Sequence, residues 1–130
     1  MITAFYAALL ALIQVGLTLN VVRYRRTQKI SLSTESSDGE LLKAVRAHGN
    51  FIEIVPMGLL MIVLAEFQGA PGWSIHSLGM LLLIGRVLHA HAILLCPNSY
   101  GVTRPVGMVL SLFVLILGAL INLWLAIPVL

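Results

Sequence analysis

Apolar runs of roughly membrane-span length recur along the chain, at residues 2–22, 74–95 and 105–127, with a fourth, 51–65, extending an amphipathic stretch. About 20 apolar residues cross a bilayer core as a helix, and in hydrocarbon only helices or closed barrels satisfy their own backbone. The 130 residues therefore allow about four spans and no separate soluble domain. A soluble domain carries about 25% charged residues; this chain carries 10%, with 59% hydrophobic. The predicted architecture is an all-α integral membrane four-helix bundle, a single domain over residues 1–130. Its helices are expected at about 2–26, 38–68, 74–96 and 104–128.

Net charge is +3, a balance that elsewhere points to nucleic acid. Here four of the eight basic residues, Arg23, Arg25, Arg26 and Lys29, follow the first apolar run directly. Such a cluster suits anionic lipid headgroups on the cytoplasmic side, so membrane lipids and not nucleic acid are the expected partners. It sets both termini outside and the first loop inside. No basic residue precedes the first run and no small-residue cleavage pattern closes it, so it reads as a span and not as a signal peptide. Ser37 and Glu40 fit a capping box that starts the second helix. Residues 68–72 form a turn by composition, followed by the interfacial Trp73.

Cys96 has no second cysteine to pair with, and the four histidines form no ligand pair backed by carboxylates. No metal is expected.

The informative stretch heads the second span. On a helix Arg46, Asn50 and Glu53 project from one face. Glu53 stands between Ile52 and Ile54, and a carboxylate there costs about 2.5–3.5 kcal/mol on insertion scales. It reads equally as a functional group or as half of a structural ion pair. Arg86 and His89 share a face of the third helix. Counted from the cytoplasmic helix ends, Glu53 and Arg86 both lie about 15 Å deep. A buried Glu53–Arg86 pair is therefore expected. Arg23, Arg46 and Arg104 gather near the cytoplasmic end, with Asn50 and His89 just deeper. Together they predict an electropositive, hydrogen-bonding pocket open to the cytoplasm. Its complementary ligand is a small anion with two acidic groups, an ammonium and amides. Gly107, Ser111 and Gly118 offer close helix approach in the last span.

Arg46, His48, Asn50, Glu53 and Pro56, followed by Gly85, Arg86 and His89, resemble the MAPEG family, the membrane-associated proteins of eicosanoid and glutathione metabolism. The resemblance covers the whole chain. It implies a homotrimer that binds glutathione, as co-substrate, between adjacent subunits near the cytoplasmic face. It further implies a transferase or peroxidase in a bacterial inner membrane, acting in detoxification on an apolar electrophile or lipid hydroperoxide. Arg23, Arg46, Asn50, Glu53 and His89 then correspond to glutathione contacts, and Arg104 to the thiolate-stabilising, catalytic arginine. Arg86 corresponds to the partner of Glu53. Gly49 and Ile93 depart from the pattern, where some members carry an arginine and a tyrosine. Two other readings stand beside this one. One is a non-catalytic glutathione binder of the same family; the other is a small proton-coupled exporter, whose essential glutamate would sit in helix one, where this chain has none.

Overall fold

The computed structural model describes residues 1–32, 39–95 and 102–127. Its elements are α1 (Ile2–Gln28), α2 (Glu40–Phe67), α3 (Gly72–Leu95) and α4 (Thr103–Ala126). All four are long and apolar enough to cross a membrane. Even 24-residue helices such as α3 and α4 extend about 36 Å, beyond a hydrocarbon core of about 30 Å.

The helix ends follow local chemistry. α1 stops where Lys29 turns left-handed at φ 55, its amide bonding back to the carbonyls of Arg25 and Arg26. Those two arginines favour the negative end of the helix dipole. α2 is capped by Gly39 at φ 91, a conformation that glycine adopts without a Cβ penalty. Ser37 lies outside the described residues. With Gly39 at the cap, Glu40 stands in the first turn and not three residues in, so the expected capping box is not the one used. α2 then runs unbroken through Pro56. Gly69, at φ 86, turns the chain out of α2. The Pro71 carbonyl accepts from both the amide and the hydroxyl of Ser74, at 2.9 and 2.7 Å. That bonding starts α3 at Gly72, ahead of the position expected from its apolar run.

α2 and α3 form the centre of the bundle. Each packs against the other and against both flanking helices, while α1 and α4 do not touch among the described residues. Phe51, Val55, Ile62, Ile75, Leu78, Leu82 and Val114 fill the interior. Much of the outer surface is large apolar side chains, among them Leu12, Leu19, Ile116 and Leu123, as lipid contact requires. Two features set the register. At one end, Glu66 of α2 accepts from the amides of Ile2 and Thr3, the latter at 2.9 Å. It thereby satisfies the open donors at the start of α1. In the interior α3 and α4 cross at Gly85 and Gly107. A Cβ on Gly107 would lie 2.6 Å from the Gly85 carbonyl oxygen and 2.7 Å from the His89 amide. Backbones this close are the membrane form of helix packing, where small residues take the place of a hydrophobic driving force.

Candidate functional site

The basic end of α1, the start of α2, the end of α3 and the start of α4 share one end of the bundle. There Leu42, Lys43, Arg46, Asn50, Ile93 and Arg104 line a cavity of about 240 Å³. Helical spacing supplies two of its polar groups: Arg46 and Asn50 are one turn apart, and the Asn50 amide donates back to the Arg46 carbonyl at 3.0 Å. That bond leaves the Asn50 side-chain oxygen directed to no partner and holds the carboxamide against α2. The Arg46 guanidinium is exposed and has no hydrogen-bond partner among the described residues. Arg104, also exposed, enters from the first turn of α4. Lys43 adds a third cation and pairs with Glu40 at 2.7 Å.

His89 and Arg86 stand behind this cavity. His89 is 3% exposed. Its Nδ1 lies 3.1 Å from the Arg104 carbonyl oxygen. A carbonyl only accepts, so Nδ1 carries the proton and ties α3 to the residue that lines the cavity. The buried Nε2 has no partner among the described residues. Arg86 is 1% exposed, yet meets no carboxylate among the described residues. Its Nε donates to the Ser111 hydroxyl at 2.8 Å, one terminal nitrogen to the Gly107 carbonyl at 3.1 Å and the other to the Asn50 carbonyl at 3.3 Å. The close Gly85–Gly107 crossing puts the α4 acceptors within reach.

The expected Glu53–Arg86 pair is not formed within the chain. Arg86 points inward and is level with Asn50, about one helical turn from Glu53. Glu53 is exposed, with no hydrogen-bond or ion-pair partner among the described residues. The buried stripe of α2, through Ala47, Phe51, Val55 and Gly58, faces its neighbours. Glu53 falls on the opposite flank. The expected equal depth is off by that turn, and a count along the helix did not determine the direction around it.

The structure thus brings Arg46, Asn50 and Arg104 into one cavity, with His89 bonded to the Arg104 backbone. Glu53 stands deeper on the outer flank of α2. Arg23 lies exposed on α1 and does not line the cavity. Lys43 and Leu42, which sequence reasoning passed over, do line it; their place on the Arg46 side of α2 was the available signal. Ser111 was read as a packing residue and serves as an acceptor for Arg86. The loop at 96–101, which precedes Arg104 and includes Cys96, lies outside the described residues.

Comparison with known proteins identifies the family. The MAPEG family profile matches residues 3–124. The chain is 32% identical over 124 residues to inner membrane protein YecN of Escherichia coli K12, covering 95% of this chain and 92% of that protein. Its counterpart in Escherichia coli O6:H1 matches equally.

Proposed function

The chain belongs to the MAPEG family, and from that premise we propose that it is a membrane-bound glutathione transferase, with peroxidase activity on lipid hydroperoxides. The observation that carries this reading is the cavity of Arg46, Asn50 and Arg104, with an unpartnered carboxylate, Glu53, farther along the same helix. Glutathione matches those groups. Its two carboxylates suit the arginines, its amides Asn50 and its ammonium Glu53. At about 240 Å³ the cavity falls below the roughly 300–1,000 Å³ of ordinary ligand pockets. Glu53 is also open to whatever lies beside α2. Both features favour a site completed by a second copy, as in the homotrimer that family resemblance implies. Arg23 of that copy is then the further cation.

In this reading the Arg104 guanidinium lies beside the glutathione sulfur. A free thiol has a pKa of about 8.5, and a neighbouring cation favours the nucleophilic thiolate. The thiolate attacks an apolar electrophile, forming a carbon–sulfur bond as the leaving group departs. With a hydroperoxide, sulfur takes one oxygen and the alcohol leaves. A second glutathione then gives the disulfide and water. His89 holds the backbone of Arg104, and its open Nε2 is an acceptor for a ligand N–H or S–H. The lysine and arginine bias puts this end of the bundle in the cytoplasm, with the apolar substrate entering from the bilayer. The family's non-catalytic alternative keeps the binding and drops the chemistry. It is favoured by Ile93, which gives the cavity an apolar wall where some members have a tyrosine.

The test is the ultraviolet absorbance of thiolate in bound glutathione against pH, followed by turnover of a model electrophile. Arg104→Ala is expected to raise the bound thiol's pKa by about one unit, equivalent to about 1.4 kcal/mol, and to slow conjugation at neutral pH. Coincident titrations in two proteins that both bind glutathione would remove Arg104 from the thiolate role. Binding without turnover in the wild type would select the non-catalytic reading.

A further inference from the structure

The spans hold another polar side chain that the fold leaves bare. Gln14, in the middle of α1, is exposed, and its carboxamide makes no hydrogen bond among the described residues. An unpartnered amide is unfavourable in hydrocarbon. Its depth follows from the Glu66 clamp, which makes the start of α1 level with Glu66. From there the two helices run antiparallel. Gln14 lies about 18 Å along α1 from Ile2, and Glu53 about 20 Å along α2 from Glu66, at 1.5 Å per residue. The two bare groups therefore share one depth. They are also complementary, since an ionised carboxylate only accepts and a carboxamide offers two N–H donors.

They do not bond within the chain, and both surfaces around them are open. Ala7, Ala11, Gln14 and Thr18 follow one another at three- and four-residue spacing, which puts them on one flank of α1. Small side chains there leave a shallow groove of about 290 Å³ along Ala11, Gln14, Val15, Thr18 and Leu19. Such a flank admits another helix at close range. Glu53, on the flank of α2 away from its own bundle, is the group with most to gain from it.

We propose that the Gln14 flank of α1 is the surface on which α2 of a second copy of this chain packs, with Gln14 of one copy donating a hydrogen bond to Glu53 of the next. The two patches differ, so the contact is head-to-tail and closes into a ring when the rotation allows. The inference rests on the proposed placement of the site between copies and names the contact at its deep end. Gln14→Leu is expected to weaken association in detergent about three- to tenfold, the range of polar bonds between membrane helices.

The direct test uses two differently tagged full-length copies, both with Cys96→Ser, one with Gln14→Cys and the other with Glu53→Cys. Oxidation is expected to give a disulfide-linked species bearing both tags. Because Glu53→Cys removes the carboxylate itself, a second arm retains it. Gln14→Lys with native Glu53 is treated with a carbodiimide, which is expected to form an amide between chains that Glu53→Gln abolishes. A linked peptide found within single chains would overturn the proposal. So would failure of both arms in copies that still co-purify, with the Gln14→Lys copy, whose Glu53 is native, still binding glutathione; the site between copies would then survive without this contact. Copies that do not co-purify would overturn both.

Discussion

Two carboxylates along α2, Glu66 and Glu53, are used differently. At one end Glu66 is bonded to the first amides of α1, and its surroundings are similarly self-contained. Tyr6 and His76 lie 3.1 Å apart in a hydrogen bond, and Asn122 bonds to Gln68 at 2.6 Å and to the Met61 carbonyl at 2.8 Å. Nearer the basic end, among the described residues, Glu53 has no partner, the Arg46 guanidinium is open and the Nε2 of His89 is unpaired. A polar group in a membrane span is unfavourable in lipid at either end. Where the chain answers it internally, the group fixes helix register. Where the chain leaves it open, the group is available to a ligand or to another copy. Arg86 marks the boundary, for it lies beside the cavity yet is bonded wholly within the bundle.

The largest effect that sharpens this contrast is expected at Arg86. Arg86→Ala opens a buried cavity and removes one guanidinium shared by three helices. It is expected to cost about 3–5 kcal/mol, read as a lower thermal midpoint in detergent. Unchanged stability would mean that Arg86 belongs to the open site and not to the fold. A smaller effect is expected at the far end, where Glu66→Gln removes the charge from the start of α1. About 1–2 kcal/mol should be lost, with glutathione binding kept. The smallest stability effect is expected for Glu53→Gln, within about 0.5 kcal/mol for the fold of the single chain. Glutathione binding should nevertheless be lost. Thermal scans and glutathione titrations on both glutamate variants make the comparison. If Glu66→Gln abolished binding, or Glu53→Gln unfolded the chain, the contrast would fail.

The fold was legible because its cause is local. Span-length apolar runs and a glycine-containing turn dictate four helices, and their ends moved only where backbone caps such as Gly39 and Pro71 decided them. The grouping of Arg46, Asn50 and Arg104 was legible too, because helical spacing and loop length bring them to one end. The partner of Arg86 was not. Two of its acceptors are backbone carbonyls, which leave no mark in a sequence, and the one on α4 comes within reach through the Gly85–Gly107 crossing. Depth can be counted along a helix, whereas direction around it depends on which flank is buried. That is why the predicted Glu53 pair failed although the helices are neighbours. The Glu66 clamp is similar: nothing near Glu66 in sequence indicates that the start of α1 lies against it.

Calorimetric titration of the detergent-purified protein with glutathione reads the open end without relying on turnover. Saturable binding is expected in the wild type and at least tenfold weaker binding in Arg46→Ala, about 1.4 kcal/mol or more, with thermal midpoints unchanged. Absence of saturable binding in a folded, associated wild-type protein would contradict the glutathione reading, as would equal affinity in the two proteins.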